Sequence, residues 1–343
     1  AGDVFRARIN GTLQPLTKQR LTPEQTRSIA ETLIQNEADR AALDYIKDYD
    51  CSWGAPGIGR FRVNILKQRS SYMIVMRVIP FEVKSSAKLG LPPVVDAMAE
   101  AKRGLILVTG MSGSGRSSTL AAMVHHINAG ESRHVVTLES PIEFLHRDVN
   151  CSITQREVGT DTDSYLDGIR AAMRQDPDVI VIDEVLEAPL ARAVLEAVED
   201  GHVVLTSYNT PDVVSTIMRM VALFPQEDRE LARSRLADSL HGIVSQRLFP
   251  REDGEGQMIA VEVLVVDEAA REMIRDRNRM SELREYMEGD SSGPGTHTLR
   301  QHVEDLVKQG VISEASLDAI EVYTDDKAAK SSRKSRRSKA KSA

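Results

Sequence analysis

The 343-residue chain reads as an α/β protein, in which a small α+β region is followed by a largely parallel sheet with helices on both faces. Three observations predict this. After Gly104, short apolar runs alternate with longer stretches of helical pattern: "LILVTG", "VVTLE" at 135–139, "VIVIDEV" at 179–185 and "VVLTS" at 203–207. Strands that are apolar on both faces belong to a parallel sheet covered on both sides. The first of these runs leads into "GMSGSGRSSTL", which has the glycine-then-helix layout of a phosphate-binding loop. Before Pro80, strands and a helix alternate on a smaller scale.

In chain order, "DVFRARINGTLQPL" reads as a hairpin with Asn10 and Gly11 in its turn. Thr22, Pro23 and Glu24 supply a helix cap, a first-turn proline and a first-turn acid ahead of the apolar Ile29, Leu33 and Ile34. "GRFRVNILKQRSSYMIVMRVIP" gives two strands around a polar turn. In 81–103 a double proline and small polar residues suggest a linker and a short helix, so a domain boundary belongs there. From about Ala269 onward, "DEAAREMIRDRNRMSELREYMEG", "THTLRQHVEDLVKQG" and "SEASLDAIEVY" carry apolar stripes among charges, as helices packed by one face do. The expected division is 1–80 as a first domain, 81–103 as linker, 104–322 as a second domain with a helical C-terminal part, and 323–343 as a basic, disordered tail.

Composition excludes several classes. With 41% hydrophobic and 28% charged residues the chain is an ordinary soluble globular protein, long enough for two domains. No apolar run approaches the roughly 20 residues that cross a bilayer, and no signal-peptide pattern is present. The chain opens on Ala1, so its true beginning is expected to lie upstream. Cys51 and Cys151 stand in no metal-ligand spacing and read as free thiols of a reducing cytosol. The eight histidines form no ligand cluster, so any metal is expected to come with a substrate. Net charge is −7 while residues 327–343 contribute +8, leaving −15 on the remainder. A body that acidic, with 4% aromatic residues and no stacking platform, argues against a nucleic-acid translocase or binder. The tail is expected to be solvated, with an anionic membrane as its alternative contact.

The candidate chemistry lies at strand ends. Gly110, Gly115, Arg116 and Ser117 fill the template G-x-x-x-x-G-K-[ST], with arginine in the lysine place. Side-chain-free glycines let backbone N–H groups wrap a polyphosphate while the following helix directs its positive end at the same anion. Such a turn can also be a plain strand-to-helix connection. A second element, "DPDVIVIDEV", weighs against that, because Asp183 and Glu184 stand at the carboxyl end of a strand, where open α/β sheets bind ligands. Asp183 suits Mg²⁺, and Glu184 can orient an attacking water. Glu139 and Glu143 follow another strand, while His202 precedes and Thr206, Ser207 and Asn209 follow a third; their convergence on one sheet edge suggests a site.

From Val4 to Ile320 the order of these elements resembles the secretion ATPases, most closely the PilT/PilU type of twitching-motility ATPase that retracts type IV pili. "GLILVTGMSGSGRSSTLAAM" looks like that family's Walker A segment, "TLESPIEF" its Asp box, "NCSITQREVGTDTDSYLDGIRAAMRQDPDVIVIDEV" the stretch into its Walker B, "GHVVLTSYNT" its His box and "AAREMIRD" its retraction motif. The resemblance implies a PAS-like α+β N-terminal domain followed by a RecA-like P-loop ATPase domain with C-terminal helices. It implies a cytoplasmic hexameric ring at the inner membrane, either a homo-hexamer or mixed with a paralogous ATPase, acting on a membrane-embedded pilus platform protein and on no specific nucleic acid. ATP and Mg²⁺ are the implied ligands. The carried-over site has Glu184, Glu139 and Arg116 in catalysis and Ser117 and Asp183 at the metal. Gly110, Ser112, Gly113, Ser114, Gly115, Arg116, Ser117, Ser118, Arg62, Arg77, His202 and Arg219 hold nucleotide.

Four positions depart from the family pattern: Arg116 for the Walker A lysine, Ser140 for the Asp-box acid, Asn209 for the second His-box histidine, and Asp183 for the glycine before the catalytic glutamate. Arginine keeps the charge but is longer and planar, whereas lysine meets phosphate as a compact point charge. The expectation is a slow or conditional ATPase, with a catalytically impaired, nucleotide-binding regulatory subunit of a pilus or type II secretion motor as the alternative.

Overall fold

The computed structural model describes residues 2–9, 12–55, 58–79, 82–289 and 292–320. It divides into two compact units: Ala1–Val83 with Glu139–His146 and Gln155–Asp163, and Lys84–Leu138 with Arg147–Thr154 and the chain from Ser164 onward. The expected turn at Asn10 and Gly11 and the basic tail lie outside the described residues.

In the first unit, β1 (Arg6–Ile9) and β2 (Thr12–Pro15) form a two-stranded antiparallel ribbon. Helix α1 (Pro23–Leu33) begins with a capping box: the Thr22 hydroxyl accepts from the Gln25 N–H, and the Gln25 side chain accepts from the Thr22 N–H. The short α2 (Glu37–Ala41) is capped by Asn36. Strands β3 (Asp48–Ala55), β4 (Gly59–Gln68) and β5 (Ser71–Ile79) make an antiparallel sheet in that order. Ala30, Leu33 and Ile34 pack with Val63, Ile65 and Tyr72 as this unit's core.

The second unit opens with α3 (Ser86–Leu89) and α4 (Pro93–Ala99). Then follow β6 (Gly104–Thr109), α5 (Arg116–Gly130), β7 (His134–Glu139), β8 (Ser152–Glu157), α6 (Tyr165–Ala172), β9 (Val179–Glu184), α7 (Ala188–Glu199) and β10 (Val203–Tyr208). The chain continues through α8 (Val213–Ala222), α9 (Arg229–Ser239), β11 (Leu240–Pro250), β12 (Gln257–Val265), α10 (Glu268–Arg275), α11 (Glu282–Glu288) and α12 (Leu299–Lys308). The sheet order is β12-β11-β6-β10-β9-β7-β8. Strands β11, β6, β10, β9 and β7 run parallel, and β12 joins the β11 edge antiparallel.

Both faces of this sheet are dry, which is why its strands read as unbroken apolar runs. Along β6, Leu105 and Leu107 join the core built with α6 to α11, whereas Ile106 and Val108 join the one built with α4 and α5. That alternation is the period of two expected of a strand. Because five strands run the same way, the segments following Thr109, Glu184 and Tyr208 emerge at one edge.

Candidate active site

The segment between β6 and α5 has the backbone of an anion cradle. Gly110, Gly113 and Gly115 have φ of 148°, 79° and 92°, in the region that disfavours residues with a Cβ. Gly110 cannot be replaced without movement: a Cβ there would lie 2.3 Å from Ser114 Oγ and 2.6 Å from the Gln246 carbonyl oxygen. A Cβ on Gly113 would meet nothing within 4 Å, so that side of the turn is open. Gly115 caps α5 without any side-chain hydrogen bond to the first-turn amides. The first turn of a helix leaves its N–H groups without intrahelical acceptors, and here those of Arg116, Ser117 and Ser118 are presented where the helix dipole also favours an anion. Ser112 and Gly113 are exposed, and Ser114 is buried with its hydroxyl unpartnered among the described residues.

Across from this turn, β9 delivers Asp183 and Glu184. The pairing of β10 with β9 steps from Thr206 opposite Ile182 to Ser207 opposite Glu184, so Asp183 is an extra residue, a bulge that breaks the alternation of side-chain directions. Arg116 Nη1 lies 3.5 Å from Glu184 Oε1, with the side chains 16% and 27% exposed. The contact is an ion pair by distance but not a hydrogen bond, since Nη1 is buried and unpartnered in that sense. The guanidinium therefore sits beside a carboxylate with a donor still to satisfy, which fits a site awaiting a phosphate oxygen. Among the described residues, no group of three or more His, Cys, Asp or Glu side chains is arranged to hold a metal alone.

Two neighbours escaped the sequence reading. Tyr208, the last residue of β10, is 8% exposed. Burial raises its hydroxyl pKa, Arg219 opposes that shift and Glu184 adds to it, so Tyr208 lies within electrostatic reach of both. Gln246, on β11, is fully buried, and its Nε2 donates to the Ser114 carbonyl at 2.7 Å. Arg219, on α8, is held by donating from Nη1 to the Asn209 carbonyl at 3.1 Å. The Thr216 hydroxyl, also on α8, lies 2.6 Å from that of Thr210 and 3.5 Å from that of Thr109, the last residue of β6.

His202 lies away from this cradle within its own chain. It precedes β10, and its carbonyl accepts from the N–H of Gly104 at the start of β6, whereas the cradle follows the end of β6. A strand of this length spans about 20 Å. The His202 ring faces the Ala197 carbonyl, with Nδ1 2.8 Å away.

The other expected residues belong to the first unit. Arg62 on β4 and Arg77 on β5 are directly opposed in the antiparallel register, so the two cations are cross-strand neighbours. Arg62 also lies 3.8 Å from the Glu143 carboxylate. Glu139 accepts from Gln155 Nε2 at 3.2 Å and from the Glu143 N–H at 3.4 Å, bracing the turn that follows β7. Glu157 is buried and paired with Arg60 at 2.8 Å.

Residues 55–322 match the family of type II/IV secretion system proteins. The chain belongs to that family. It is 34% identical over 307 residues to the twitching motility protein of Neisseria gonorrhoeae, covering 89% of this chain and 81% of that protein. It is likewise 34% identical over 306 residues to the type IV pilus retractation ATPase PilT of Pseudomonas aeruginosa, covering 89% and 88%. Among solved structures, the pilus retraction motor PilT with bound ADP superposes with a TM-score of 0.84 at 38% identity, over 92% of this chain and 90% of that one. The Legionella pneumophila ATPase DotB does so with a TM-score of 0.83 at 26% identity, over 94% and 89%. The family member's fold is therefore a mixed α/β one, an N-terminal domain followed by a RecA-like ATPase domain on a parallel-sheet core.

Proposed function

We propose that this chain is an ATP hydrolase of the pilus-retraction type, working as a subunit of a ring and coupling nucleotide turnover to pilus disassembly. The observation that carries the reading is the placement of Arg116, at the first position of α5 behind the glycine turn, 3.5 Å from Glu184 at the tip of β9. This contact supports the reading by bringing the glycine turn's arginine beside the carboxylate at the strand tip. The relatives' names supply the ATPase and pilus context.

In this reading the backbone N–H groups of residues 113–118 and the Arg116 guanidinium hold the phosphates of the substrate. Glu184 orients the attacking water and accepts its proton, while Arg219 addresses the charge of the γ-phosphoryl group. Ser117 and Asp183 are the side chains that would hold Mg²⁺, which would neutralise charge developing on the phosphoryl oxygens. Arg62 and Arg77 form a cationic pair suited to phosphate as well. Glu139, fixed by Gln155, keeps a catalytic role in this reading. Residues 1–80 are assigned as the N-terminal domain, 81–103 as the linker, 104–322 as the motor domain and 323–343 as the basic tail.

Arg116 also explains why turnover should be slow. A guanidinium resting against Glu184 occupies the carboxylate that must receive a proton, so catalysis waits until phosphate draws the arginine away. No described helix is long and apolar enough to cross a membrane. In this reading the work on an inner-membrane pilus platform is done from a peripheral position. Purified protein is expected to bind ATP and hydrolyse it slowly, and Glu184→Gln to abolish turnover while keeping binding. A parent that binds no nucleotide, or turnover that survives Glu184→Gln, would replace the motor with a partner subunit lacking chemistry.

A further inference from the structure

We infer that Gln246 is a positioning residue for the phosphate loop, fixing the direction in which the Gly115 N–H points; the inference rests on the nucleotide-binding reading above. Gln246 is fully buried on β11, the neighbour of β6 in the sheet, with Ser245 in register with Thr109. Its Nε2 donates to the carbonyl of Ser114 at 2.7 Å. Only the amide nitrogen can face a carbonyl, so this contact fixes the orientation of the side-chain amide. Its Oε1 is buried and unpartnered among the described residues, so the amide is kept inside the protein for this one hydrogen bond.

The consequence follows from peptide geometry. Ser114 C=O and Gly115 N–H belong to a single planar unit, in which the two groups point in opposite directions. Gly115 has φ of 92°, a region with little preference of its own for a glycine, and the preceding Gly113 is similarly free at 79°. Left to itself, such a unit can rotate and present its carbonyl where an anion should find an N–H. Gln246 holds the carbonyl toward β11 and thereby aims the Gly115 N–H the other way, toward the open side of the turn. The fit is close on both flanks: a Cβ on Gly115 would lie 3.2 Å from Gln246 Nε2, and one on Gly110 would lie 2.6 Å from the Gln246 carbonyl oxygen. The same residue thus braces the loop through its side chain and its backbone.

The test compares the parent with Gln246→Met, which keeps the volume and loses the donor, and with Gln246→Asn, which keeps an amide too short to reach. Thermal melting first establishes which variants fold, and either one suffices. Without nucleotide, hydrogen exchange of the Ser114 N–H, which donates to the Met111 carbonyl at 3.0 Å, should speed up at least tenfold in the variant while the strands of the sheet keep their protection. In binding, affinity for ADP and for inorganic pyrophosphate should fall at least tenfold, whereas affinity for adenosine should stay within twofold of the parent. Equal losses for ADP and adenosine, or unchanged ADP affinity in a folded variant, would overturn the inference. If the parent bound neither ADP nor pyrophosphate, the nucleotide reading itself would fall, and unchanged exchange of the Ser114 N–H would separately refute the pinning of the loop.

Discussion

Glu184→Gln should do more than stop turnover: it should tighten nucleotide binding, and the amount can be worked from the structure. Arg116 Nη1 and Glu184 Oε1 are 3.5 Å apart. At an effective dielectric constant of about 20, opposite unit charges at that distance attract by about 5 kcal/mol. Most of that is offset, because the pair lacks hydrogen-bond geometry, both side chains retain some exposure and each has lost hydration. Partly exposed pairs of this kind net about 1 kcal/mol, a factor of about 5 in affinity. Phosphate must displace this contact, so removing the carboxylate charge should lower the Kd for ADP by about fivefold. Simple repulsion between Glu184 and phosphate acts in the same direction, and a double-mutant cycle separates the two. Calorimetric titration of ADP into the parent, Glu184→Gln, Arg116→Gln and the double variant should show the tightening largely lost once Arg116 is gone. Equal tightening in both backgrounds would refute the competition between Glu184 and phosphate for the arginine, as would no tightening at all.

Arg116→Lys should hydrolyse ATP at least as fast as the parent, measured as steady-state phosphate release, because a compact ammonium serves phosphate while leaving Glu184 to water. Gly110→Ala should abolish ADP binding and lower stability by on the order of 3 kcal/mol in urea melts, since its Cβ would collide with the Gln246 backbone; Gly113→Ala, strained at φ 79° but uncrowded, should cost about 1 kcal/mol. Glu262, buried on β12 and accepting from the Val213 N–H, has its pKa pushed up to about 7, first by burial and then by Asp212. The folded protein therefore binds this proton more tightly than the unfolded chain, and its contribution falls as pH rises from about 4.5 to 7. Glu262→Gln should match the parent near pH 4.5 and exceed it at pH 8 by on the order of 3 kcal/mol in urea melts. His302, lowered to about 4 by burial and His297, titrates in the opposite sense, so the comparison must be variant against parent at each pH.

The phosphate loop and the Asp-Glu tip of β9 were legible because each is a local pattern, glycines before a helix and acids ending an apolar run. The doubly covered sheet was legible for the same reason. Gln246 and Tyr208 were not. In "GIVSQRLF" a glutamine reads as an interruption, and its value depends on β11 lying beside β6, an adjacency that no local pattern encodes. His202 shows the converse: polar residues at both ends of one apolar run look like one cluster, yet the ends of a strand lie at opposite edges of its sheet. β3 was missed because Asp48, Asp50, Ser52 and Gly54 dilute its apolar character, and pairing with β4 rather than propensity makes it a strand.

The opposed arginines of β4 and β5 put a like-charge contact into the first unit's sheet. Like charges facing across a ladder cost a few tenths to 1 kcal/mol, and Glu143 at 3.8 Å from Arg62 relieves only part of that burden. If this pair meets phosphate as proposed, a polyanion seated between them would cement the sheet, and resistance to melting would rise with the triphosphate in solution. Arg77→Gln should flatten that rise while making the sheet sturdier in dilute buffer.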